Sequence, residues 1–212
     1  MSNTKELWEN LHSQSRFRPK YPSEIVVQYV FRNFDRNGKT KGLDLGCGAG
    51  RHSYFMAKEN LDVYGLDISS EGIAYADEML KQDHFKGEFK VGTTDNIPYK
   101  DEFFDGLISY GVLYYCMFNE IKQSVDEIYR VLKKGAKALI IIRTTNDYRY
   151  GDGREIEKNT FLIEEKNEDK CASSKASLAG TFSISTLSAA FFKASLILPF
   201  VGSINIELAC DA

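Results

Sequence analysis

Three observations predict an α/β fold, a doubly wound, mostly parallel sheet with helices on both faces. Apolar runs too short for helices recur along the chain, at 43–45, 61–69, 85–91, 103–110 and 136–142. The segments between several of these runs carry apolar residues at helical spacing, and strand alternating with helix is the pattern of parallel sheets. The first run empties into Gly46, Gly48 and Gly50, where a strand can turn tightly into a helix and bring backbone N–H groups near a ligand.

Composition limits what such a sheet can serve. The chain has 212 residues, 43% hydrophobic and 27% charged, which suits one domain with a substantial core. It divides into an N-terminal helical lid over 1–40, a ligand-binding core over 41–145, and a substrate-side loop with an atypical C-terminal part over 146–212. A net charge of −3 gives no basic field, so neither nucleic acid nor an anionic membrane is an expected partner. Cys47, Cys116, Cys171 and Cys210 lie far apart, and His12, His52 and His84 form no ligand-spaced cluster, which argues against a disulfide scaffold and a metal site. The opening stretch is polar and Ala194 to Val201 is too short to span a bilayer, so a cytoplasmic monomer or weak dimer is expected.

The elements follow in order. Ile25, Val26, Tyr29 and Val30 predict a helix over 24–34, with the Ser23 hydroxyl as its cap. After the first strand and the glycine turn comes a helix over 49–58, then a strand over 61–69 and a helix over 71–82 capped by Ser69 or Ser70. A third strand over 85–91 leads into the loop Gly92 to Tyr99, and a fourth runs from Phe103 to Tyr110. Ile121, Val125, Ile128 and Leu132 share one face of a helix ending in Lys-Lys-Gly, and Ala136 to Ile142 is a fully buried fifth strand. Beyond it the chain is polar, with a short strand at 160–164. From Cys171 on, charge is scarce; 186–192 reads as a last helix and 203–208 alternates like a sixth strand.

The spacing of the glycines narrows the ligand. A dinucleotide turn, G-x-G-x-x-G, wants a third glycine at position 51, which is Arg51. Here Asp44 precedes G-x-G-x-G, and the run LDLGCGAGRHS resembles the first motif of class I S-adenosylmethionine-dependent methyltransferases. The resemblance implies a Rossmann-like sheet in the order 3-2-1-4-5, S-adenosylmethionine as cofactor, and in-line transfer of its methyl to an oxygen, nitrogen or carbon of a small-molecule acceptor. It places Asp44, Gly46, Cys47, Gly48 and Gly50 around the cofactor. Asp67, ending the second strand beside Ile68, is the carboxylate for the ribose hydroxyls. Thr93, Thr94 and Asp95 occupy the adenine segment, with Thr93 where many members carry aspartate. Arg18 and Tyr21 would close over the ligand carboxylate, or belong to a segment that merely covers the sheet.

Tyr110, Tyr114 and Tyr115 lie past the fourth strand, either bordering sulfonium and acceptor or packing under the next helix. Arg143 either meets the acceptor or pairs with a surface carboxylate. Transfer from a sulfonium asks for alignment more than acid–base chemistry, so Tyr114, Tyr115, Arg143 and His52 are weak catalytic candidates. The family's common architecture adds an antiparallel seventh strand between the fifth and sixth, for which the sequence offers no segment. Two rivals stand beside this reading: a non-catalytic S-adenosylmethionine-binding module and a nicotinamide-dependent oxidoreductase.

Overall fold

The computed structural model describes residues 2–143, 145–163, 177–180, 192–200 and 203–210. Its sheet is built from the apolar runs. β1 (Lys41–Leu45), β2 (Asp62–Asp67), β3 (Gly87–Val91), β4 (Phe104–Tyr110) and β5 (Leu132–Arg143) pair in parallel in the order β3-β2-β1-β4-β5. Side chains that alternate along β5 explain why it must be covered twice. Ile140 and Ile142 join the core of Leu43, Leu45 and Ile128, whereas Leu139 and Ile141 join that of Val26, Val30 and Met56. Burying one such side chain contributes about 1.5–3 kcal/mol, so the two cores hold the sheet from opposite faces.

The helices are α1 (Ser2–Ser13), α2 (Glu24–Asn33), α3 (Arg51–Lys58), α4 (Ser70–Gln82) and α5 (Phe118–Val131). Four of them match the apolar periodicity, with shifts at their ends. α5 starts at Phe118, earlier than its apolar stripe, because the Glu120 carboxylate accepts the Met117 N–H. It stops at Val131, and residues 133–136 bulge out of register with β4 before pairing resumes at Lys137. Ser23 precedes α2 without capping it through its hydroxyl; its own N–H donates to His52 Nε2 at 3.3 Å instead. α1 falls within the helical lid expected over 1–40, without bounds of its own in the sequence, since its face is polar and aromatic with little aliphatic repeat.

The far side of the sheet corrects the reading of the C-terminal part. β10 (Ser203–Cys210) runs antiparallel to β5 and to β9 (Phe192–Phe200), and lies between them. The antiparallel strand that seemed missing is therefore 203–210, and the sixth position belongs to 192–200. Alternation identified 203–208 as a strand, but alternation carries no direction. Phe192 begins this strand rather than ending a helix; the rest of the helix expected at 186–192 lies outside the described residues. A second, antiparallel sheet of β6 (Arg154–Glu157), β7 (Thr160–Ile163) and β8 (Ser177–Gly180) packs β8 against the turn Leu113–Tyr115. Glu157 anchors it by accepting the Phe118 N–H at 2.6 Å and the Thr160 hydroxyl at 3.1 Å.

Candidate functional site

Parallel strands place their carboxyl ends on one rim, and the glycine turn leaves β1 there. Gly46, Gly48 and Gly50 all take positive φ, at 75°, 53° and 82°. The Gly46 and Cys47 amides donate to the Leu66 carbonyl at 2.7 and 3.1 Å, stitching the turn to β2. A Cβ on Gly46 would sit 2.2 Å from Val112, and one on Gly50 would sit 2.5 Å from Ala76, so both glycines allow close packing. Gly48 differs, because a Cβ there would meet only the ring of His12, at 3.1 Å.

Gly48 and Asp67 face each other. The Gly48 N–H donates to Asp67 Oδ2 at 2.8 Å, and the Ser69 N–H donates to Oδ1 at 2.9 Å. Burial raises the pKa of this carboxyl, while His12 and the two amides oppose the rise. Asp44 lies deeper, 1% exposed, and accepts the Ser53 hydroxyl at 2.7 Å, which ties β1 to α3. Burial pushes its pKa up to about 6, against the Ser53 bonds.

α1 roofs this rim. The Glu9 carboxylate accepts the N–H and hydroxyl of Ser70 at 2.9 and 2.7 Å, the Ser69 hydroxyl at 3.0 Å and the Glu71 N–H at 2.9 Å. It thus fills the positive end of α4 with an anion. Partial burial would raise its pKa, but these bonds outweigh that and bring it down to about 2. One turn on, His12 is only 7% exposed and packs against Gly48 and Gly72. Its Nδ1 is buried without a partner. Trp8 reaches the other side, with its ring edge-on to Tyr115 at 5.0 Å. A lone buried nitrogen, an acid and a turn amide are gathered at this strand tip.

The remaining candidates lie in several places. Arg51 stacks over Tyr110 at 5.0 Å, and Tyr110 also meets His52 at 5.0 Å, so this ring borders the turn. Tyr114, Tyr115 and Arg143 cluster beyond β4, with the guanidinium 4.3 Å over the Tyr114 ring. Ile68 is half-buried at the tip of β2, and Asp95 is half-buried in the loop after β3. Others are exposed, or engaged or buried within the fold. Tyr21 is 75% exposed, while Arg18 stacks on Tyr75 at 4.3 Å and donates to the His12 carbonyl. Thr93 is exposed, and the Thr94 hydroxyl is engaged by Ser124 at 2.7 Å. The Cys47 thiol is buried, and burial lifts its pKa far above the usual range. His52 is buried too; burial, then Arg51, takes its pKa down to about 3.

Trp8, Glu9 and His12 are what sequence reasoning missed. The signal was available in the spacing of Trp8 and His12, four residues apart on one helical face. Among the described residues there is no group of three or more His, Cys, Asp or Glu that could hold a metal ion, and no helix long and apolar enough to cross a membrane.

Comparison with known proteins adds a family. A family profile described as a methyltransferase domain matches residues 43–140. The ubiquinone biosynthesis O-methyltransferase of Pelagibacter ubique is 29% identical over 138 residues, 64% of this chain and 55% of that one. A tRNA (carboxymethyluridine(34)-5-O)-methyltransferase of Arabidopsis thaliana is 34% identical over 102 residues, 47% of this chain and 23% of that one. The chain spans about half the length of the first curated relatives it matches. Among solved structures, a SAM-dependent methyltransferase of Methanosarcina mazei superposes with a TM-score of 0.70 at 21% identity, covering 90% of this chain and 99% of that one, a likeness of fold. Over residues 43–140 the chain is similar to a methyltransferase domain, and its glycine turn and strand order agree with that likeness.

Proposed function

We propose that this chain is an S-adenosylmethionine-dependent methyltransferase acting on a small-molecule acceptor. The observation that carries the reading is the pairing of the Gly48 amide with the Asp67 carboxylate beside the partnerless His12 nitrogen. The cofactor, when bound, supplies a methyl on a positively charged sulfur. The chain's own residues then have three tasks. Asp67, held in place by the Gly48 amide, binds the nucleoside end, and His12 Nδ1 gains the partner it lacks. Trp8 and α1 exclude water above, which favours an aligned displacement over hydrolysis.

Proton removal is not among those tasks. His52, near pKa 3, is too weak a base, and its Nε2 already accepts the Ser23 amide. Burial, with Tyr115 beside it, pushes the Tyr114 phenol well above its ordinary pKa, so it stays protonated at neutral pH. The site therefore suits an acceptor atom that is nucleophilic without help from a strong base.

A small acceptor is supported by the net charge of −3, which offers no basic field to a polyanion. The tRNA-modifying relative sets the contrast, so unfractionated tRNA is the control acceptor. Equilibrium dialysis against S-adenosylhomocysteine tests the cofactor. Asp67→Ala is expected to weaken binding about 100-fold, since two hydrogen bonds to a charged group are lost. Equal affinity of the two proteins refutes the assignment. Binding without transfer of labelled methyl to a metabolite extract supports the non-catalytic module, and a preference for NADH supports the oxidoreductase.

A further inference from the structure

We propose that the acceptor carries a carboxylate and that Arg143 is the residue that selects for it; the proposal rests on the methyltransferase reading above. Arg143 ends β5 one strand beyond β4, on the rim that holds the glycine turn. Its guanidinium lies 4.3 Å over the Tyr114 ring and 5.8 Å from the Tyr115 ring. Tyr115 in turn touches Trp8 of α1, so the arginine occupies the same roofed corner as the cofactor residues.

That guanidinium is incompletely satisfied. Its Nη1 is buried and has no hydrogen-bond partner. The ion pair with Asp147 is long, Nε to Oδ2 at 3.7 Å, and Asp147 Oδ1 is taken by the Arg149 N–H at 3.0 Å. A buried N–H left unpaired is costly, and guanidinium is shaped to hold a planar carboxylate through two N–H groups. Asp147 nearby repels a second negative charge, which favours a monoanion over a phosphate dianion.

The test uses wild-type protein saturated with S-adenosylhomocysteine. Benzoate, 4-hydroxybenzoate, phenylacetate and hexanoate are each titrated against their neutral primary amides, with the melting temperature as readout. At least one carboxylate is expected to bind tenfold or more tightly than its amide. In Arg143→Gln that preference vanishes, Arg143→Lys keeps part of it, and S-adenosylhomocysteine affinity stays within twofold. No preference anywhere in the wild-type panel overturns the proposal, and this arm needs no variant to fold. A preference that survives Arg143→Gln overturns the role of Arg143. A tenfold loss of S-adenosylhomocysteine affinity in Arg143→Gln assigns the free N–H to the cofactor's own carboxylate and likewise overturns it. Wild-type protein that binds no S-adenosylhomocysteine refutes the underlying reading instead, and takes this one with it.

Discussion

Asp44 places a carboxyl in a dry interior where the hydroxyl and backbone of Ser53 support its ionised form, with a smaller contribution from Arg51. Burial lifts its pKa in the fold to about 6, from an ordinary value of 3.8. A carboxyl raised in the folded state adds stability below its unfolded pKa and loses it as pH rises through the folded value. Between roughly pH 4 and pH 6, wild type should therefore lose up to about 3 kcal/mol relative to Asp44→Asn, at about 1.36 kcal/mol for each pH unit between the folded and unfolded values. Urea titrations of both proteins across that window measure the difference, and parallel profiles would contradict the burial of a charge. Gly46 makes a second prediction. Ala there must take φ near 75° and overlap Val112, so Gly46→Ala should cost about 3 kcal/mol or more, from backbone strain and overpacking together. Val112→Ala in the same chain should recover part of the loss. These residues were visible in the sequence because an acid and spaced glycines are rare chemistry. What was hidden is how they are used: Asp44 bonds to Ser53, and Thr94, expected within the adenine segment, engages Ser124 through its hydroxyl.

α1 is the element whose importance the sequence concealed. Elements that bury aliphatic stripes announce themselves by period, as α2 and α5 do. α1 instead docks through Glu9, His12 and Trp8, and its trace in the sequence is the four-residue spacing of Trp8 and His12 rather than an aliphatic stripe. Glu9→Gln should therefore act locally. Amide exchange at Ser70 and Glu71 is expected to rise several-fold, and proteolysis between α1 and α2 to quicken, while the sheet melts as before. Equal exchange in variant and wild type would show that the four bonds do not hold the helix. Because Glu9 titrates near pH 2, below the ordinary 4.5, the clasp gives its full stability above pH 4.5 and loses it as pH falls through 2. Exchange at Ser70 should stay slow at pH 4.

At the scale of the molecule, the order β3-β2-β1-β4-β5 followed from family resemblance and from five runs, because parallel sheets write themselves as uninterrupted apolar stretches. The outer strands were legible as strands in part and as neighbours not at all. Ser203 to Leu208 alternates, yet its partner and direction come from a pairing with Lys137 to Arg143 far back in the chain. A chain ended before Phe192 should leave β5 bare along one edge, with Ala138 to Ile142 unpaired, and should associate in light scattering. A soluble monomer from that chain would show that β9 and β10 are dispensable. The placement of β10 also has a consequence during synthesis. Roughly 60 residues separate Arg143 from Ser203, so at about 5–20 residues per second the ribosome takes several seconds to deliver the strand that closes β5. Throughout that interval the nascent protein presents an open apolar border, and its yield in a translation extract should rise when a chaperone is supplied before the last segment emerges.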